Sequence, residues 1–447
     1  MAEVGNPTKR YSEVSRKYGD PWIWGIYFTL VILSIIESYS ASSREVAVAG
    51  VYMPVIKQCL FLAIGGVFVV FLYRVNYNDK TLLALIIYGL GLVTVLFLVY
   101  VLLFGKVVNG AQRAITLPGF SIQPAEMAKL SIVTLLAYIL ARNQEKRDVS
   151  NWGMFLSALV VAVFGGLLLF NGLTNTLLLM CISISMMLIG GAQLKKIFIV
   201  LVAYVMIFGC FWLIKSNNDN KMANLDNGVV IEHVTDGDDA AKTVPDRKLR
   251  SGTWKNRIRD YWSNKDSLVY RPITSKNQQE MFSHMAQANG GLYGQGVGNS
   301  RECSRLPLAF SDYIYSIIVE ELGLCGGILM IVLYLWLLAR AAMIARRCRR
   351  VLPALLVIGM ASMIAYQALF HMAINSGLFP VSGQPLPLVS KGGTSIVMTS
   401  IAFGIMLSIS RTIANYDTKN IKTEENQLPH ELRAENPTQL IRANEWR

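Results

Sequence analysis

Long apolar blocks separated by short charged runs dominate this chain. They fill residues 22–41, 53–73, 81–104, 125–141, 153–170, 173–190, 196–215, 311–339, 351–375 and 392–411. Each is near the roughly 20 residues that a helix needs to cross a bilayer core of about 30 Å. The pattern predicts an all-α polytopic membrane protein with ten transmembrane helices and one long extracytoplasmic loop. The fifth and sixth blocks nearly fuse at "FNGLTN", Phe170 to Asn175, where Gly172 and two asparagines predict a tight turn. The resulting plan is an N-terminal segment 1–21, helices one to seven in 22–215, a large loop 216–310, helices eight to ten in 311–411, and a tail 412–447.

Composition supports the pattern. Of 447 residues, 53% are hydrophobic and 16% charged, and mean hydropathy is +0.41. A soluble chain carries about 25% charge. The first apolar block is long, and no small-residue cleavage site follows a short core, so no cleavable signal peptide is expected. The net charge of +13 raises nucleic acid as a partner, but basic loops that set membrane topology account for it better. "RRCRR" (Arg346–Arg350), "RNQEKR" (Arg142–Arg147), "QLKK", Arg74 and Lys80 all fall on one side if the N-terminus is there too. That places both termini in the cytoplasm. The tail after Arg411 is polar and predicts disorder. Six cysteines form neither a disulfide framework nor a metal spacing, and four histidines form no metal spacing. Of these, His371 is intramembrane and reads as a packed or hydrogen-bonded histidine.

Four stretches on the other side carry candidate chemistry. In "NGAQRAITLPGFSIQPAEMAK", Pro118 and Gly119 predict a turn, and Pro124 suits the first turn of the fourth helix. Glu126 and Lys129 share a helix face at membrane depth, where charge is costly. One reading is a structural ion pair at a helix end. The other adds Arg113: Arg113 and Lys129 would grip phosphate oxygens, and Glu126 would hold a divalent cation. Spacing leaves both open. "LFPVSGQPLPLVSKGGTS" is dense in Pro and Gly, which lipid does not tolerate, so it predicts a cavity lining; its "SKGGTS" suits either an anion nest or a helix cap by Ser390 or Thr394. In "LPLAFSDYIYSIIVEELGLCGG", Asp312 reads as an N-cap-like residue or a site residue, and Glu320 and Glu321 as buried acids, one of them paired with a cation of another helix. In the long loop the acids nearest the aromatic, Gly-punctuated part are Asp246, Asp260 and Asp266.

With these residues in view, the chain resembles the SEDS family (shape, elongation, division and sporulation), the polytopic peptidoglycan glycosyltransferases typified by FtsW and RodA. "NGAQRAITLPGFSIQPAEMAK" is similar to the family's NGAxRWI…QPSExxK, and "GGLYGQGVGNS" to its GxGLGNS. "LPLAFSDYIYSIIVEELGLCG" is similar to LPxxxTDFIFAxxxEELG, and "LFPVSGQPLPLVSKGGTS" to PxTGxxLPxxSYGGSS. The resemblance implies an outward cavity for lipid II, walled by Arg113, Gln123, Lys129, Asp312, Glu320, Ser390, Lys391, Gly392, Gly393 and Ser395. It further implies a Mg2+ or Mn2+ ion at Glu126 and a catalytic Asp266, with Asp260 as the fallback. Departures are Ala114 and Lys391 at the family's Trp and Tyr, "NGLTNT" in place of a PDLGTA-like run, and about five extra residues between Asp266 and the glutamine pair Gln278–Gln279.

The expected reaction is polymerisation of lipid II at the division septum, beside a class B penicillin-binding protein and other divisome proteins in the bacterial cytoplasmic membrane. An elongation polymerase of the RodA type and a lipid II flippase are the alternatives.

Overall fold

The computed structural model describes residues 17–41, 52–74, 80–104, 106–108, 111–117, 120–145, 148–204, 273, 277–306, 309–380 and 383–416. The first three helices are α1 (Pro21–Ser40), α2 (Met53–Arg74) and α3 (Lys80–Phe104). Asp20 caps α1 by accepting from Trp22 N at 2.9 Å, and Pro21 fills the first position, where no amide is needed. Next come α4 (Pro124–Arg142), α5 (Asn151–Asn171) and α6 (Leu173–Ile189), and Gly172 breaks α5 from α6 as the turn signal predicts. The seventh block is helical over 194–204, here α7, and continues outside the described residues. Beyond the long loop lie α8 (Gln278–Gly290), the four-residue α9 (Ala309–Asp312), α10 (Ile314–Arg347), α11 (Val351–Asn375) and α12 (Gly393–Tyr416).

Among the described residues, eight helices are long and apolar enough to span a membrane, and α6 is a shorter apolar helix over Thr174–Ile189. The described helices therefore do not by themselves close the expected count of ten. The all-α reading holds with one addition. The stretch before α4 is a three-stranded antiparallel meander: β1 (Lys106–Val108), β2 (Ala111–Leu117) and β3 (Phe120–Ile122). Its register pairs Ile115 with Ile122 and Leu117 with Phe120. A two-residue ladder, β4 (Gln144–Glu145) with β5 (Asp148–Val149), joins α4 to α5.

Two helices form the centre. The apolar windows of α4 and α11 are 89% and 83% buried, against 22% and 28% for α2 and α3. Helix α4 packs against α3, α5, α6, α11 and α12, so it is enclosed on all sides. Its acid and base must therefore find partners inside the protein. At one end of the bundle Arg340 of α10 pairs with Asp20, the Tyr73 hydroxyl donates to the Lys17 carbonyl, and Arg411 lies 4.6 Å from the Tyr73 ring centroid. The ends of α1, α2, α10 and α12 thus share one basic face.

Candidate active site

At the opposite end, α4 opens the site. Gln123 is its N-cap residue, exposed, and its amide donates to Thr394 Oγ1 of α12 at 3.2 Å. One turn in, Lys129 Nζ lies 2.6 Å from Glu126 Oε1 and 2.7 Å from Gln367 Oε1 of α11. Lys129 is 1% exposed and Glu126 4%. The ion pair is formed inside the protein, one helix turn long, with an amide from a second helix completing it.

Gln367 begins a polar stripe on α11 that sequence reading did not single out. Gln367, His371 and Asn375 recur every four residues on one buried face. Gln367 Nε2 donates to Pro385 O at 3.0 Å, and His371 Nδ1 lies 2.6 Å from Gln384 O. Asn375 Nδ2 donates to Asp312 O at 3.1 Å, and Asn375 Oδ1 accepts from Ser316 Oγ at 3.0 Å. Gln287 of α8 donates to Ser316 Oγ at 3.0 Å and to Asn375 O at 2.6 Å. One hydrogen-bonded chain therefore runs from the Glu126–Lys129 pair to α10 and to α8. The signal was available: two amides and an imidazole at i, i+4 and i+8 in an otherwise apolar span.

The Pro-Gly segment after α11 is held by this stripe. Leu386, Leu388, Val389 and Ser390 are buried, so its irregular backbone is covered by protein, as its composition demands. Tyr334 Oη donates to Pro387 O at 2.7 Å. Ser390 Oγ accepts from Leu386 N at 2.8 Å, so this hydroxyl closes its own turn; it does not cap α12. Lys391 N donates to Phe310 O at 3.1 Å, which ties the segment to α9. Gly392 precedes α12 and Gly393 begins it. The buried Ser395 hydroxyl has no protein partner among the described residues.

Asp312 ends α9, and Ser311 Oγ donates to its Oδ1 at 2.9 Å. Tyr313 occupies the N-cap position of α10, so Asp312 is not the cap. Glu320 departs further from expectation. It is fully buried, and its carboxylate accepts from Ser300 Oγ, from Arg301 N at 3.1 Å, from Glu302 N at 3.4 Å and from Asn289 Nδ2 at 3.3 Å. Every one of these partners belongs to the segment 289–302, so its oxygens face that segment. Glu321, expected to be one of the pair to find a basic partner, takes the Ser40 hydroxyl of α1. In the same loop, burial pushes the Glu302 carboxyl above its usual value, and Arg305, 3.5 Å away, opposes the shift.

Glu320 and Glu321 stand just before an interruption of α10. Gly323 has φ 72° and ψ −171°, a conformation open essentially to glycine. The break frees main-chain groups on both sides, and the loop after α8 takes them. Gln295 N donates to Glu320 O at 2.9 Å and Gly296 N to Glu321 O at 3.0 Å. In return Leu324 N donates to Gly291 O at 2.9 Å and Cys325 N to Leu292 O at 3.4 Å. "GGLYGQG" and "EELG" are thus two halves of one joint.

The remaining residues fall differently. Arg113 lies in β2, with its side chain outside the described residues; Asp246, Asp260 and Asp266 lie outside them altogether. The structure gathers Gln123, Glu126, Lys129, Asp312, Ser390 and Lys391 around the N-terminal ends of α4, α10 and α12 and the C-terminal end of α11. It sets Glu320 apart, in the joint.

An enclosed helical bundle with polar chemistry at one end and a basic face at the other is a polytopic membrane protein. The sequence profile of the cell cycle protein family of FtsW, RodA and SpoVE matches residues 21–415, and the chain belongs to that family. It is 28% identical over 389 residues to a probable peptidoglycan glycosyltransferase FtsW of Geobacter metallireducens, covering 85% of this chain and 92% of that one. A protein of the same name from Trichlorobacter lovleyi is 30% identical over 388 residues, covering 85% and 90%. Among solved structures, a chain of a peptidoglycan synthase complex that coordinates polymerization and crosslinking aligns with a TM-score of 0.61 at 23% identity, over 89% of this chain and 98% of that one. Thermus thermophilus RodA aligns at 0.58 and 22% identity, over 88% and 97%. These two likenesses carry the fold.

Proposed function

We propose that this protein is a peptidoglycan glycosyltransferase that polymerises lipid II for septal wall synthesis. The observation that carries the reading is the family match over residues 21–415, which encloses all four motif stretches. The basic face of the bundle supports a cytoplasmic position for both termini and an external position for residues 216–310. A cysteine introduced at Asn217 should then react with an impermeant maleimide from outside.

In the proposed step, the 4-hydroxyl of one lipid II's GlcNAc attacks the anomeric carbon of the growing strand. A C–O bond forms there as the bond to undecaprenyl diphosphate breaks, and the diphosphate leaves with the electron pair. Asp266 takes the hydroxyl proton, a role worth about 10²–10⁴-fold. The diphosphate would lie against Arg113, Gln123, Lys391 and the amides of Gly392 and Gly393, with Ser395 donating. Such fixed donors stabilise the charge that the leaving group gains. Lys129 acts from beneath, because Glu126 and Gln367 already hold it.

A Mg2+ or Mn2+ ion at Glu126 was part of the expectation. Lys129 Nζ lies 2.6 Å from the Glu126 carboxylate, and the described residues contain no group of three or more metal-ligating side chains. Divalent cations ask for about six oxygens. Glu126, already engaged by Lys129, would share such an ion with substrate phosphates and water, and the loop acids Asp246, Asp260 and Asp266 lie outside the described residues. A class B penicillin-binding protein is the proposed partner, in keeping with the synthase complex whose chain shares this fold.

Asp266→Asn keeps size and hydrogen bonding but removes the base. Polymerisation should fall about 10²-fold or more while lipid II binding survives. Loss only in Asp260→Asn would move the base six residues upstream. Full activity in both variants contradicts a loop carboxylate as base.

A further inference from the structure

Helix α10 does two unrelated-looking things within four residues: it buries a carboxylate, and it breaks. Glu320 lies at the end of the first segment, and its four hydrogen-bond donors all come from 289–302. The break at Gly323 exposes two carbonyls and two amides, and residues 291–296 occupy all four. A buried carboxylate normally needs a cation. Here two main-chain N–H groups, a hydroxyl and a carboxamide replace it, which is charge-assisted bonding of the strong kind. The same segment is thus fastened to α10 twice, by side chain and by main chain. A Cβ at Gly294 would run into the Glu321 carbonyl, so the two backbones touch.

What the joint fastens is α8. The chain leaves α8 at Gly290 directly into the joint. Along its length α8 bonds to the body through side chains, Asn289 to Glu320 itself and Ser283 and Gln287 to Ser316 and Asn375. Those partners sit on the polar stripe that begins at the Glu126–Lys129 pair. The joint therefore fixes the axial position of α8, and the stripe fixes its rotation. Upstream of α8 in the sequence stands Asp266.

We infer that Glu320 is a positioning residue for glycan polymerisation: it locks the joint between the 289–302 segment and the break in α10, and so sets the placement of the outer-loop helix α8 over the reacting end of the bundle. This role rests on the glycosyltransferase reading above. It differs from a cavity-wall role because both Glu320 oxygens are taken by the 289–302 segment, so the carboxylate itself is dispensable once the joint is held by other means.

The molecule offers such a means. Leu292 is 62% exposed, and Cys325, also exposed, donates its amide to the Leu292 carbonyl. A disulfide needs Cα atoms roughly 4.4–6.8 Å apart, and main chains joined by a direct hydrogen bond are candidates for it. Leu292→Cys puts a thiol on the residue bonded to the native Cys325, and loss of free thiol on oxidation reports whether the bridge forms. The test uses purified full-length protein in detergent with lipid II, measuring kcat, KM and lipid II binding for wild type, Glu320→Gln, Ser300→Ala, and Leu292→Cys/Glu320→Gln under oxidising and reducing conditions.

The expected result is a kcat about 10- to 100-fold lower in Glu320→Gln, the scale of a misplaced reacting group, with KM and binding within about twofold. Ser300→Ala, which removes one bond of four, gives a smaller fall in the same direction. It keeps the question answerable if Glu320→Gln does not fold. Oxidised Leu292→Cys/Glu320→Gln recovers most of the wild-type kcat, and reductant takes it away again. Wild-type kcat in Glu320→Gln or in Ser300→Ala overturns the inference, as does a formed disulfide that restores nothing. A raised KM with lost lipid II binding returns Glu320 to the cavity wall and also overturns it. An inactive wild type in the same assay fails the glycosyltransferase reading instead, and the two failures are distinct.

Discussion

Glu126 and Glu320 are both buried acids within a few turns of the N-terminal end of a spanning helix, and the protein satisfies them in opposite ways. Glu126 of α4 has a cation one turn away, Lys129, with Gln367 as the third member. Glu320 of α10 has no such ion pair among the described residues; four neutral donors surround it, three from the loop at 300–302 and the Asn289 carboxamide at the end of α8. The contrast follows from position. α4 is enclosed by five other helices, so its acid and base are most cheaply buried together. α10 is broken two residues beyond Glu321, and a loop with free amides lies against it. An ion pair ties a helix to itself and to one neighbour, whereas a carboxylate held by a loop makes that loop part of the helix bundle.

The largest effect should come from splitting the ion pair. Glu126→Leu leaves a buried, uncompensated ammonium and should cost about 3–5 kcal/mol. Removing the other half as well, in Glu126→Leu/Lys129→Met, should return most of that loss. Denaturation in mixed micelles reads both. No recovery in the double variant would mean that the pair does not act as a pair.

Next in size is Glu320→Gln, which should cost about 1.5–3 kcal/mol, the range for hydrogen bonds to a charged group. Here no second substitution of a cation restores it, because none pairs with Glu320 among the described residues. A suppressor at a Lys or Arg would erase the contrast. Gly323→Ala should cost about 1–3 kcal/mol from backbone strain alone, with a clash against the Leu292 carbonyl besides. Gly66→Ala in α2, where a Cβ meets nothing within 4 Å, is the matched control and should stay within about 0.5 kcal/mol. Equal losses at the two glycines would remove the joint from the account.

The smallest effect lies at the basic end. Burial would raise Asp148, but the Lys196 ammonium at 2.5 Å and the amides of Val149 and Gln193 outweigh it and hold the carboxyl below its usual range. A depressed carboxyl contributes stability above its unfolded-state value, near 4, and loses it as pH falls through the folded one. Asp148→Asn should therefore flatten the acid side of the stability curve by no more than about 1 kcal/mol and leave neutral pH activity alone. Thermal melts from pH 3 to pH 7 check it; a change confined to alkaline pH would contradict the assignment.

Hydrophobic length located most helices closely. The block at 351–375 coincides with α11, and 53–73 falls one residue short of α2. The block at 311–339 falls short because Arg340 ends the apolar run, while Ala, Arg and Met go on forming helix and Arg340 reaches back to Asp20. Conformations set by partners distant in sequence were harder to read. The meander at 106–122 has strands of three to seven residues, too short for periodicity to register. The joint needs a glycine-rich loop and a helix break some 30 residues apart to meet, and each alone reads as a turn or a substrate motif. Glu320 was visible as a buried acid, but which donors would surround it depends on that meeting. His371 reads correctly as hydrogen-bonded, and its spacing to Gln367 and Asn375 is legible in the sequence, but the partners of that stripe, Gln384, Pro385 and α8, are set by the fold.

The most direct test of the central claim is the fate of lipid II with the purified protein in vesicles, alone and with a class B penicillin-binding protein. Glycan strands and undecaprenyl diphosphate should accumulate together, faster with the partner, and Asp266→Asn should stop both. Lipid II that crosses the bilayer without lengthening, with partner present and binding intact, would contradict the account and leave a transporter in its place.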